Sequence, residues 1–508
     1  MIAGPPPTGA RTLRTLLVAN RGEIARRVFR TAREMGLRTV AVASEPDRDT
    51  PHAREADRCV IIGDGPPASS YLDIDKILAA TRESGADAIH PGYGFLSERD
   101  EFAQAVTDAG LIFVGPPAAA MRALGDKIAA KALAQGAGVP IVPGFFAPDA
   151  SDDDLHEAAR EIGYPVMLKA SAGGGGRGMR VVREDGELRG ELQRARDEAL
   201  KAFGDGAMMV ERLVERPRHI EIQAIADAHG TVACLFERDC SIQRRHQKLL
   251  EEAPSPFVDV AMYEAMRTAS VSLLRAAGYV GAATIEFIVD PSSRAFYFLE
   301  VNARLQVEHP VTEAITGLDL VRLQLEVAQG QPLDLPSLER ERISGHAIEA
   351  RLIAEDPARG FLPSVGRIVR LLTPTRPGIR CDMGYESGGE VTPFYDSLLG
   401  KIIAHGPDRD SARHRLIAAL EETHVLGVRT NAAMLIDILR DDAFASGDVS
   451  TGTLAERFDG WTPGPPPPEL AAIADALAAT SVAPTGSSPG KVPSVWDLTD
   501  GFRNARPA

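Results

Sequence analysis

The sequence predicts a multidomain protein of mixed α/β and α+β class that opens with an open α/β domain. Three observations carry this expectation. A strand, an amphipathic helix and a second strand follow one another over residues 16–43; a polyglycine loop follows a strand at 166–169; and two facing strands, 284–289 and 296–302, set acidic residues opposite one another. With 508 residues the chain has room for three or four domains, and its 44% hydrophobic content is ample for buried cores, which excludes global disorder.

The 56 basic and 71 acidic residues leave a net charge of −15, so neither nucleic acid nor an anionic membrane is expected to bind through bulk charge. Cys59, Cys234, Cys240 and Cys381 show no CxxC spacing, which indicates neither a zinc site nor a disulfide framework and fits the reducing cytoplasm. Residues 1–17 contain Pro5, Pro6, Pro7 and two arginines where an export signal needs an apolar run, and the uncharged stretch 132–148 is broken by glycines and prolines. Export and membrane insertion are therefore not expected. Only eight of the basic residues are lysine, so a lysine inside a motif marks a place where a compact ammonium is needed.

Taken in order, Leu16 to Ala19 reads as a buried strand, and Ile24, Ala25, Val28, Phe29, Ala32 and Met35 recur at helical spacing up to Gly36. Thr39 to Ala43, Ala86 to His90 and Leu111 to Val114 read as further strands. The first turn, Asn20 to Glu23, lacks GxGxxG spacing, and a dinucleotide oxidoreductase is rejected. An alanine-rich helix starts at Lys127, a Gly/Pro connection spans 136–144, and a helix after Ser151 precedes the strand Val166 to Lys169. Strands dominate 208–236 and 283–302 around a helix near 262–277. Short strands and helices alternate from Gly345 to about Phe458, and a Pro/Ala-rich linker follows Trp461.

The loop Ala172 to Met179 has glycine at every position from 173 to 178 except Arg177, so its amides can approach an anion while Lys169 supplies a point charge; a flexible surface loop is the plain alternative. Period-2 alternation puts Thr284, Glu286, Phe298, Glu300 and Asn302 on one face, with Glu286 nearly opposite Glu300. Facing carboxylates repel, and a divalent cation removes that cost, whereas a solvated outer face would merely tolerate it. Continued alternation carries the face through Arg304, Gln306 and Glu308, a cation, an amide and a base in line, until Pro310 stops the strand; an ordinary polar edge strand fits as well. The dense run from Glu237 to Lys248 is of a kind most often solvated, but Lys248 beside two arginines points to an anion site.

Together, Gly125-Asp126-Lys127, Lys169 with its glycine loop, Glu211, His219-Ile220-Glu221, ERDCSIQRRHQK, the Glu286/Glu300 pair and NARLQVEHPVTE resemble biotin carboxylases of the ATP-grasp superfamily. HPGYGFLSE, which contains Tyr93, GHAIEAR ending in Arg351, and Tyr395-Asp396-Ser397 match as well, and the likeness runs from about Leu13 to Phe458. It implies an N-terminal α/β domain over 13–126, an ATP-grasp domain over 127–340 with a mobile lid at about 145–213, a C-terminal biotin carboxylase domain over 341–458 and a tail over 462–508. Lys127, Lys169, Gly174, Gly175 and Gly176 would meet ATP phosphates, Glu211 and Val214 the adenine hinge, and His219, Gln243 and His246 the ribose and phosphates. Glu286, Glu300 and Asn302 would hold magnesium, or manganese in its place. Lys248, Arg304, Gln306 and Val307 would bind bicarbonate, Glu308 would deprotonate it, and Arg351 would stabilise the biotin enolate that attacks CO2, with Tyr93 nearby.

Two departures, Arg212 where many relatives have lysine and Arg99 where asparagine is frequent, remove no reacting group. No lysine is flanked by methionines, so the expectation is a biotin carried on another polypeptide: a carrier protein, working with carboxyltransferase subunits of an acyl-CoA carboxylase. The resemblance also suggests a homodimer, and the segment from Val495 to Arg503 is similar to the one that follows the carboxylase region in fused α subunits. Another ATP-grasp ligase that forms an acyl phosphate, of carbamoyl-phosphate type, and a non-catalytic scaffold are the alternatives.

Overall fold

Thr15–Val18 is buried along its whole length and apolar from Leu16 onward, as befits the centre of a parallel sheet with both faces covered. In the computed structural model, which describes residues 11–147, 150–171, 178–336 and 338–465, it lies in a five-stranded parallel sheet. The order is Arg58–Gly63, Arg38–Ser44, Thr15–Val18, Ala88–His90 and Ile112–Phe113. Arg58–Gly63 is an edge strand that the sequence reading missed, because only alternate positions are buried. The helix Gly22–Glu34 buries Ile24, Ala25, Val28, Phe29 and Ala32, the stripe that its periodicity predicts.

The turn before that helix is a side-chain clasp. Asn20 Nδ2 donates to the carbonyls of Pro91 at 2.8 Å and Tyr93 at 2.7 Å. Gly92 has a φ of +65°, and a Cβ there would stand 2.8 Å from the Asn20 amide, so only glycine lets the two loops close on each other.

The centre is an eight-stranded antiparallel sheet. Its order is Phe296–Asn302, Gly281–Val289, Arg218–Ala226, Val232–Arg244, Gln247–Ala253, His346–Ile353, Leu398–Gly406 and Ile379–Met383, so one sheet runs across residues 340/341. Ile220, Ile222, Ala224, Ile285 and Phe287 point into an apolar core beneath the helix Val260–Ala276, while His219, Glu221, Gln223, Thr284 and Glu286 alternate onto the other face. A separate four-stranded sheet, Gly144–Phe145, Met208–Arg212, Val166–Ala170 and Arg180–Val182, carries the helices Asp152–Ile162 and Leu188–Phe203. Gly174, Gly175 and Gly176, with the rest of 172–177, lie outside the described residues.

Three expectations are corrected. A bulge at Leu299 breaks the alternation: Glu286 pairs with Glu300, but Phe287 pairs with Phe298, so Phe298 turns into the core instead of sharing the face of Glu300. The strand does not continue through Arg304, Gln306 and Glu308; it ends at Asn302, a turn follows, and Pro310 sits in the first turn of the helix His309–Thr316, where its missing N–H costs nothing. The polar run 237–248 is not a solvated loop. It forms two strands joined by the two-residue turn Arg245-His246, both with positive φ (49° and 66°), and Glu237, Arg238 and Asp239 are buried.

The contacts divide the chain into Met1–Trp461 and Thr462–Ala508, and of the second unit only 462–465 are described. No helix among the described residues is long and apolar enough to cross a membrane.

Candidate active site

The polar face of the central sheet floors a cavity of about 1080 Å³. Tyr93, Lys127, Lys169, Glu211, Val214, His219, Gln243, His246, Lys248, Glu286, Glu300, Asn302, Arg304, Gln306, Val307 and Arg351 all line it. Glu308 is fully buried just behind its wall, and Lys248 and Arg351 connect it to the cavity.

At one end two lysines grip one acid, with Lys127 also lining the cavity there. Lys169 Nζ lies 2.5 Å from Glu211 Oε2, and Lys131 bonds Oε1 of the same carboxylate. Burial pushes the Glu211 carboxyl up, but the two ammoniums outweigh it and bring it down to about 2, so Glu211 stays charged. Lys127 and Lys131 are pulled down by burial, which makes an anion between them welcome. Lys131 was missed in the sequence; its signal was its rarity and its place one helical turn after Lys127.

Across the sheet, Glu300, Glu286 and Glu221 stand in one row on adjacent strands, with Arg238 next in line. The fully buried Arg238 satisfies its guanidinium with Glu221, Gln223, Thr284 and Thr312 at 2.5–3.0 Å. Lys248 caps the row: its ammonium lies 2.6 Å from Glu221, 2.9 Å from Glu286 and 2.7 Å from Glu308. Burial works against that charge, but the three carboxylates raise the ammonium well above its ordinary range. Neither Glu221 nor Arg238 was assigned a role from sequence, although both lie inside motifs already singled out.

Glu286 is held low by Lys248 and His219 against its burial, His219 Nε2 standing 3.0 Å from Oε2, while Asn302 Nδ2 donates to Oε1 at 2.8 Å. Glu300 accepts no hydrogen bond and forms no ion pair among the described residues, and burial together with Glu286 raises it. An unpartnered carboxylate opposed to another, with only oxygen donors offered by Glu286, Glu300 and the Asn302 side chain, fits a hard divalent cation. Asn302 Oδ1 itself accepts from Arg304 at 2.9 Å, so its part is the outer one. His219, Glu221 and Glu286 also bring donor atoms within 4.8 Å of one another, but the Lys248 ammonium already serves both acids.

The turn after Asn302 does what a continued strand could not: it folds Arg304, Gln306 and Glu308 back over the row. Arg304 donates to Gln306 Oε1 at 2.9 Å and pairs with Glu98 at 3.0 Å, and the buried Lys401 holds the carbonyl of Val307 at 2.5 Å. Glu308 accepts from Lys248 on one oxygen and from Arg351 Nη2, at 3.0 Å, on the other. Burial opposes its charge, but Lys248, Arg351 and Arg238 keep it well below the ordinary carboxyl range. Tyr93 donates to the buried Glu23, which also pairs with Lys401 at 3.3 Å.

Comparison with known proteins places this geometry. Residues 12–121 match the family described as biotin carboxylase, N-terminal domain; 126–336 match the carbamoyl-phosphate synthase L chain ATP-binding domain; and 349–456 match the biotin carboxylase C-terminal domain. The chain is 47% identical over 461 residues to the mitochondrial methylcrotonoyl-CoA carboxylase subunit alpha of Rattus norvegicus, covering 91% of this chain and 64% of that protein. It is 47% identical to the propionyl-CoA carboxylase alpha chain of Ruegeria pomeroyi, over 87% of this chain and 68% of the relative. The chain thus spans less than two thirds of the first of these curated relatives. Among solved structures, the biotin carboxylase domain dimer of Hydrogenobacter thermophilus 2-oxoglutarate carboxylase, in complex with MgADP, ADP and bicarbonate, superposes with a TM-score of 0.85 at 43% identity, over 90% of this chain and 100% of that one. Biotin carboxylase from Campylobacter jejuni gives 0.84 at 41%, over 88% and 99%.

Proposed function

As the chain belongs to the biotin carboxylase family, we propose that it carboxylates biotin on a carrier protein at the expense of ATP and bicarbonate, the first half-reaction of an acyl-CoA carboxylase. The observation that carries the proposal is that one cavity joins a lysine-lined anion end to a buried carboxylate, Glu308, gripped by Lys248 and Arg351. ATP phosphates belong at Lys127 and Lys169, the base at the wall from Glu211 to Val214, and His219, Gln243 and His246 between them. Glu286 and Glu300, with Asn302 behind, are the residues that would hold magnesium, which when bound offsets phosphate charge.

Bicarbonate fits among Lys248, Arg304, Gln306 and Val307. Glu308 accepts its proton, the freed oxygen attacks the γ-phosphorus, and ADP leaves as carboxyphosphate forms. Lys127 and Lys169 offset the charge that builds on the phosphate oxygens. Carboxyphosphate then yields CO2 and phosphate, and the phosphate takes the N1′ proton of biotin. Arg351 and Tyr93, on the side of the cavity facing the C-terminal strands, receive the biotin. A carrier protein and carboxyltransferase subunits are the proposed partners, with a homodimer as the assembly and the cytoplasm as the compartment.

The test is ADP release with bicarbonate and free biotin: stimulation by biotin is expected, and its absence removes the biotin part of the reading. Release of a carbamoyl or other acyl phosphate product with ammonia would favour a carbamoyl-phosphate type of ligase instead. Glu300→Gln removes the repulsion within the acidic pair, so the thermal midpoint in cation-free buffer should rise by about 1–2 °C. The same variant should lose the further rise that magnesium with ADP gives the parent protein; an undiminished rise would count against the paired-acid site.

A further inference from the structure

Deeper along the same sheet a second pair of acids is opposed. Glu251 and Glu349 are register partners on the strands Gln247–Ala253 and His346–Ile353, and they are 1% and 0% exposed. Glu251 Oε1 accepts from Arg351 Nε at 2.5 Å, yet Glu251 Oε2 and both oxygens of Glu349 have no donor among the described residues. Lys401, the nearest spare cation, is committed to the Val307 carbonyl and to Glu23. Three orphaned carboxylate oxygens on adjacent buried residues are not tolerated as two full charges; one proton held between the two carboxyls removes one of those charges and engages two of the three oxygens.

We propose that Glu251 and Glu349 share one proton and act as a positioning pair that presents Arg351 to Glu308. This rests on the functional reading above. The Arg351 guanidinium bridges the pair and the base, with Nε on Glu251 and Nη2 on Glu308. With one proton the pair carries a single negative charge, enough to orient Arg351 without withdrawing it; with none, a doubled charge competes with Glu308 for the same guanidinium.

Burial raises both carboxyls, Glu349 furthest, in spite of Arg351 and, for Glu349, Lys401. The groups that face Glu349 are Arg351 on its own strand, Glu251 on the next, Lys401 on Leu398–Gly406, and Glu308. The helix His309–Thr316 adds His309, held neutral by burial with Lys401 nearby, and Glu313, tied to Arg27 and Arg380. On the opposite face Ile348 and Ala350 join an apolar core with the helices Arg409–Glu421 and Ala432–Arg440. Both acids are raised in the fold, so the native state binds more protons than the unfolded chain, and their contribution to stability falls as pH rises through the raised values.

Infrared difference spectroscopy of the full chain tests this. A protonated-carboxyl stretch is expected at neutral pH, vanishing as pH is raised over the same interval in which kcat falls. Glu349→Gln should lose that band, hold kcat at neutral pH within about tenfold, shift the alkaline fall of kcat upward and flatten the alkaline decline of the thermal midpoint. A parent protein without the band, or with a band that persists through the kcat fall, overturns the proposal even if the variant does not fold; so does a variant that keeps the band or an unmoved alkaline limb. The band is read without turnover, so its presence in a protein that biotin does not stimulate sinks the functional reading and leaves the shared proton standing.

Discussion

Glu308→Gln is expected to lower bicarbonate-dependent ADP release by about 10²- to 10⁴-fold. The amide keeps the volume but cannot take the proton, and its NH2 group meets Lys248 or Arg351 where a carboxylate oxygen now accepts. The lysine-lined end proposed for the nucleotide is built from other residues, so ATP affinity should stay within about threefold; a variant with normal turnover removes Glu308 from the chemistry, and one that no longer binds ATP shows that the site has come apart. Because the surrounding cations outweigh burial, Glu308 remains ionised well below neutral pH. No acid limb of the pH profile is expected near the ordinary glutamate value.

Lys248→Met leaves Glu221, Glu286 and Glu308 without their common counter-ion. Removing one partner from a buried ionic cluster costs about 3–5 kcal/mol, and urea denaturation should show a loss of that size. Lys248→Arg separates structure from function. It keeps the charge and most of the stability, but a planar fork cannot address three carboxylates from one point, so activity should fall about 10²-fold while the denaturation midpoint changes little. A methionine variant as stable as the parent would mean that the acids are protonated or solvated, against the geometry of the row.

Much of this site was legible because its chemistry is concentrated in unusual local patterns. Glycines after a strand, rare lysines within motifs and acids at matching distances from a turn are all visible in one dimension, and the resemblance tied them together. The opposition of Glu286 and Glu300 survived the bulge because Leu299 falls between Phe298 and Glu300, shifting the register only on the turn side of the acids. Phe298 was misplaced for the same reason: one extra residue reverses every face beyond it. The hairpin within 237–248 was missed because its turn, Arg245-His246, contains neither glycine nor asparagine, although Lys248 does line the cavity where an anion site was expected.

The open α/β start, most of the helices and strands and the residues that line the cavity followed from the sequence itself, since helix and strand periodicity and motif spacing act over a few residues. Lys131 beside Glu211, the row from Glu300 to Arg238, the folding of Glu308 back onto Lys248, and the proton-sharing geometry at Glu251 and Glu349 were decided only by tertiary structure. Each depends on strands or turns distant in the chain being set side by side, where burial strips water from charged groups and makes the identity of the neighbouring atom decide the energy.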